Sequence, residues 1–128
     1  MLNLTLSLLP DTLAICRLTP DALMPDWALT SGFLSVTRTL DELSIVCPQA
    51  NVPPKIQCDR DWRGLKVEGP LDLSLIGILA SLTVPVARAG IGIFAVSTYD
   101  TDYVLVKENR LEEAVLVLSQ AGHHVRRS

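Results

Sequence analysis

Residues 73–97 read LSLIGILASLTVPVARAGIGIFAVS, and how this stretch is read decides the fold. It is long and apolar enough to suggest a membrane span. Pro85, Arg88 and Gly90 interrupt it, and beyond Gly90 the texture changes from helical to β-branched alternation. A buried helix from about Leu73 to Ala87, a turn, and a buried strand over 91–97 account for the pattern. Asp72, with Pro70 just before it, is placed to cap the helix.

Working outward, DYVLVKE (102–108) is a returning strand joined to the first by Thr98–Thr101. RLEEAVLVLSQAG (110–122) predicts an amphipathic helix with Leu111, Val115 and Leu118 on one face. Glu112 and Glu113 complement its dipole, and Gly122 closes it. HHVRR is a closing strand and GLKVEG (64–69) an opening one. The order is β-α-β-β-α-β, the ferredoxin-like arrangement.

The first half is less regular. LNLTLSLL and TLAICRL are separated by Pro10-Asp11, a turn pair, so they read as a hairpin or two short strands. Residues 19–32 support at most a short helix near Asp26–Leu29. FLSVTRT (33–39) and LSIVCP (43–48) are strands around a Leu40–Glu42 turn, and 49–61 connects the halves. A shift of 60 places Phe33–Thr37 on Ile93–Ser97, Glu42-Leu43 on Asp102-Tyr103, and Ile45-Val46 on Leu105-Val106. This predicts an α+β protein of two ferredoxin-like βαββαβ units side by side, residues 1–61 and 62–128, the first degenerate.

Composition narrows the function. Of the 128 residues, 48% are hydrophobic and only 5% aromatic, so the core is aliphatic; the net charge of −3 argues against nucleic acid as a partner. Cys16, Cys47 and Cys58 lack C-x-x-C spacing and read as reduced core thiols. No basic leader with a cleavage site opens the chain, and the interrupted apolar stretch argues against a membrane partner; the expectation is a cytoplasmic protein.

The run VSTYDTDYVLVKE (96–108), preceded by LIGILASLTVPVARAGIGIFA, resembles the last unit of the tandem-ACT family, which includes the CASTOR arginine sensors and short bacterial ACT proteins. SVTRTLDELSIVCP (35–48) resembles the matching segment of the first unit in the bacterial group. The resemblance spans roughly residues 10–125 and implies ACT units sharing a sheet, with an amino acid bound at an interface between units. It also implies a homodimer, in which two chains restore the four-unit arrangement of the sensors, and a regulated protein as a further partner. Carried over by position, it places the ligand's carboxylate and ammonium groups at Ser74, Ile76, Gly77 and Ile78 and at Thr98, Tyr99 and Asp102, with Ser97 assisting. The sensors carry acidic residues at the helix start, suited to a guanidinium; here Ser74 and Leu75 stand there.

The chemistry of these residues suits a zwitterion. A helix N-terminus offers free amides to a carboxylate, Gly77 allows close approach to the backbone, and Asp102 can pair with an ammonium. On structural grounds alone, Gly77 would serve packing, Asp102 would end a hairpin, and Tyr99 and Tyr103 would be hairpin packing residues. His123 and His124 are adjacent, point to opposite faces of a strand and cannot share a metal; both read as exposed. No G-x-S-x-G, H-E-x-x-H or phosphate loop occurs, so no catalytic residue, metal or cofactor is expected. The expected function is a non-catalytic, amino-acid-sensing regulatory protein; the alternative is a protein–protein interaction module with a vestigial pocket.

Overall fold

The structure is a computed structural model that describes residues 2–30, 32–72 and 74–127. It is an α+β protein of the ferredoxin-like class, with seven strands, mostly antiparallel, and two α-helices among the described residues. The strands are β1 (Thr5–Leu18), β2 (Ser35–Arg38), β3 (Leu43–Pro48), β4 (Cys58–Val67), β5 (Phe94–Ser97), β6 (Asp102–Lys107) and β7 (His124–Arg126); the helices are α1 (Ile78–Arg88) and α2 (Leu111–Gln120). The chain packs as two compact units, Met1–Pro10 with Arg63–Ser128, and Asp11–Trp62. Residues 1–10, assigned by sequence to the first half, therefore pack with the second. The reason is the Leu4, Leu6, Leu8 alternation: Leu6 is fully buried in the aliphatic core of the larger unit, with Leu4 and Leu8 packed against it.

Pro10-Asp11 does not turn. β1 runs unbroken through it, because Pro10 lies between the residues that pair with β7 (Thr5–Ser7) and those that pair with β3 (Leu13–Leu18), so its missing N–H interrupts neither ladder.

In the larger unit, β4-α1-β5-β6-α2-β7 follows the expected order with one departure in pairing. A ferredoxin-like sheet seats the last strand beside the first of its unit; here β7 pairs in parallel with the opening residues of β1, which β4 flanks through a Glu68 N–H to Thr5 O bond (2.8 Å). α1 buries Ile78, Leu82 and Val86 at four-residue spacing, and α2 buries Leu111, Ala114 and Leu118. Both helices end alike. Gly90 (φ 76°) and Gly122 (φ 98°) take the left-handed position, and the next residue's N–H, Ile91 or His123, returns to the carbonyl of Val86 or Leu118.

α1 is shorter than the sequence predicts. It starts at Ile78, after Gly77 (φ 84°), and the expected start at Leu73 lies outside the described residues. Asp72 is not its cap: the Asp72 carboxylate accepts from the Ser74 N–H (2.9 Å) and Ser74 hydroxyl (2.8 Å), closing a local turn upstream of the helix. His123, expected to be exposed, is 5% exposed, while His124 on β7 is exposed.

In the smaller unit, β2 and β3 form a hairpin and β3 pairs with the later residues of β1, Leu13 to Leu18. The predicted strand 33–39 contracts to Ser35–Arg38, and the short helix is a single 3-10 turn, Asp26–Leu29. The core joins Ala14, Cys16, Ala28, Leu43, Ile45 and Cys47.

Candidate functional site: a cleft at the start of α1

The larger unit carries an open cleft of about 300 Å³, bounded by Leu71, Asp72 and Leu75, the first turn of α1 and the β5–β6 turn. Two hydrogen bonds fix its walls. The Thr101 hydroxyl, on a residue 4% exposed, donates to Val67 O at the end of β4 (2.7 Å). The Leu71 N–H donates to Asp100 O (2.7 Å), clamping the segment before the helix onto the turn. The turn closes through Thr98: its N–H donates to Thr101 O (2.9 Å), as does its hydroxyl (3.0 Å).

Six of the sequence-predicted residues meet here: Gly77, Ile78, Ser97, Thr98, Tyr99 and Asp102 line the cleft. Two do not. Ser74 turns back onto Asp72, and Ile76 is 92% exposed outside the lining. Because the helix begins at Ile78, the amides its first turn leaves without intrahelical acceptors belong to Ile78, Leu79 and Ala80, not to Ser74 or Ile76. The N-cap residue is glycine and supplies no side-chain cap bond to those amides.

The sequence missed Asp72 and Asp100, which also line the cleft. With Asp102 they bring three carboxylates to a lining that includes no Lys or Arg. Asp72 is held below the usual carboxylate range by the Ser74 backbone and hydroxyl hydrogen bonds, so it is ionised across the neutral range. The adjacency of Thr98, Tyr99, Asp100 and Thr101 in one closed turn was the available signal for Asp100; Asp72 was spent on a capping role that the helix start does not support. The arrangement offers a negative wall for a cationic group and a helix N-terminus for an anionic one.

The ACT domain family matches residues 57–120, half the chain, and a second family, an N-terminal domain, matches 11–55. This chain belongs to the ACT-domain family. A structure of an Agobacterium tumefaciens protein shares 39% identity with this ACT protein over 100% of this chain and 96% of that one, with a TM-score of 0.95. A Vibrio cholerae protein of unknown function has the same fold at 14% identity and TM-score 0.77, covering 94% and 91%. So does the ligand-free regulatory subunit of aspartate kinase from Thermus thermophilus, at 15% identity and TM-score 0.59, covering 87% and 93%. Among the described residues no helix is long and apolar enough to cross a membrane.

Proposed function

We propose that this ACT protein is a non-catalytic regulator that binds an amino acid in the cleft at the start of α1. The observation that carries this reading is the meeting, in one cleft of about 300 Å³, of the open N-terminus of α1 with Asp102 and the Thr98–Thr101 turn. That volume sits at the lower end of the range for small-molecule sites, about 300–1,000 Å³. The ligand carboxylate takes the amides of Ile78, Leu79 and Ala80, and its ammonium takes Asp102, with Thr98 and Ser97 assisting. Ser74 and Ile76 leave the contact set.

The cleft is open, and beside the exposed Asp72 and Asp100 its mouth presents exposed large apolar residues: Leu75 is 51% exposed, Ile76 92% and Tyr99 81%. We infer a homodimer in which these residues face a second copy and the ligand is enclosed between chains. The same apolar rim favours the second reading, an interaction module whose pocket is vestigial. A thermal-shift screen of the twenty amino acids separates the two. The sensor reading expects one amino acid, or a chemically related few, to raise the midpoint saturably; no response at millimolar concentration leaves the interaction module.

A further inference from the structure

All three cysteines fall in the unit Asp11–Trp62, and they pack together: Cys16 on β1, Cys47 on β3 and Cys58 at the start of β4 join one apolar cluster. Strand register ranks the pairs. Cys16 faces Ile45 and Cys47 faces Ala14, so Cys16 and Cys47 are diagonal neighbours. Diagonal Cα atoms in a sheet lie about 7–8 Å apart, beyond the disulfide range of about 4.4–6.8 Å. On the other flank, β1 and β4 run antiparallel, and the Arg17 N–H donates to Gln57 O (3.0 Å), which sets Cys16 opposite Cys58. Facing residues in an antiparallel pair have Cα atoms about 4.5–5.5 Å apart, inside the range. Exposure ranks them too: Cys58 is half-buried, whereas Cys16 and Cys47 are buried.

We propose that Cys58 and Cys16 form a reversible thiol–disulfide pair, with Cys58 the accessible thiol and Cys16 the resolving one. The oxidant is a low-molecular-weight disulfide. The Cys58 thiolate attacks one sulfur of oxidised glutathione and expels a glutathione thiolate, leaving a mixed disulfide. The Cys16 sulfur then attacks Cys58 Sγ, the Cys16–Cys58 bond forms, and the second glutathione thiolate leaves. Both protein protons end on the two glutathione thiols, and two cysteines are oxidised for one glutathione disulfide reduced. The hydrogen bond between Cys16 and Cys47 raises the Cys16 thiol and lowers that of Cys47. Among the described residues no three of His, Cys, Asp and Glu are set to hold a metal.

The test is peptide mapping of the full chain equilibrated with oxidised glutathione, then alkylated without reduction. Trypsin leaves each cysteine on its own peptide, ending at Arg17, Lys55 and Arg60. The expected result is a link between the peptides ending at Arg17 and Arg60, with one of the three thiols still titratable; Cys58→Ser forms no link. Three titratable thiols, a link through Cys47, or glutathione remaining on Cys58 would each overturn the proposal.

Discussion

Pro85 stands inside α1, where it has no N–H to give the carbonyl four residues back, that of Ser81. That carbonyl is taken by His123, whose Nε2 lies 3.0 Å from Ser81 O, while its Nδ1 accepts from the Leu4 N–H at 3.1 Å. The two bonds fix one neutral tautomer, protonated at Nε2. A buried histidine thus repairs a proline break and ties α1, the end of α2 and the start of β1 together. His123→Ala leaves two part-buried backbone groups, Leu4 N–H and Ser81 O, without this partner and should lower stability by about 1 kcal/mol for each, the low end of the cost for a buried group. Pro85→Ala restores a helical donor to Ser81, so the same histidine change should be milder in that background, a coupling read by urea denaturation of the four-variant cycle. Identical losses in both backgrounds would refute the repair. The sequence showed Pro85 and the adjacent histidines, but not their meeting, which depends on Gly122 turning the chain so that His123 faces inward. Gly77 makes a second case. A Cβ there meets nothing within 4 Å, yet its φ is +84°, so Gly77→Ala should destabilise by about 1–2 kcal/mol through backbone strain alone. An unchanged denaturation midpoint would contradict it. For Asp72, Ser74→Ala should move its NMR titration midpoint only part of the way back up, because the Ser74 backbone N–H, the larger cause of the depression, is retained. The depressed carboxylate supports its turn above the unfolded-state pKa and loses that support as pH falls through the folded one.

The hairpins β2–β3 and β5–β6 correspond element for element, at a register one residue away from the one the sequence suggests. A shift of 59, not 60, maps β2 onto β5, β3 onto β6, and the 3-10 turn Gln49–Asn51 onto Glu108–Arg110. It also equates Thr39 with Thr98, and both threonines close their turns in the same way: the Thr39 N–H donates to Glu42 O and the Thr98 N–H to Thr101 O, each at 2.9 Å. Apolar alternation has period two, so it cannot by itself distinguish neighbouring registers as firmly as the threonine turn does. At this register Ser97 corresponds to Arg38. Ser97 lines an open cleft; Arg38 instead crosses to the carbonyls of Pro20 and Ala22, the latter at 2.8 Å. The smaller unit thus fills with its own guanidinium a place analogous to the one the larger unit leaves open. Arg38→Ser should change stability by no more than about 1 kcal/mol, because these contacts are exposed, while speeding amide exchange around residues 20–24. Unchanged exchange there would show that Arg38 holds nothing.

At the scale of the molecule, the βαββαβ order, both helix ends and the β5–β6 turn were legible because periodicity and glycine position state them directly. The pairing of β7 with β1, and the passage of Met1–Pro10 into the larger unit, were not, since they rest on contacts far apart in sequence. Most of the cleft was legible through the ACT resemblance; Asp72 was not, because its role follows from where α1 begins, and Asp100 was not, because only the closure of the β5–β6 turn against Leu71 brings it to the cleft. The central claim is that this cleft is where the regulator meets its ligand. Isothermal titration of Asp102→Ala against wild type, with the amino acid that most stabilises the wild-type protein, tests it most directly. A buried charge-assisted contact is worth about 1.5–3 kcal/mol, so the account predicts that Kd rises by about tenfold or more. An unchanged Kd in a folded Asp102→Ala protein would place the ligand elsewhere and contradict the account.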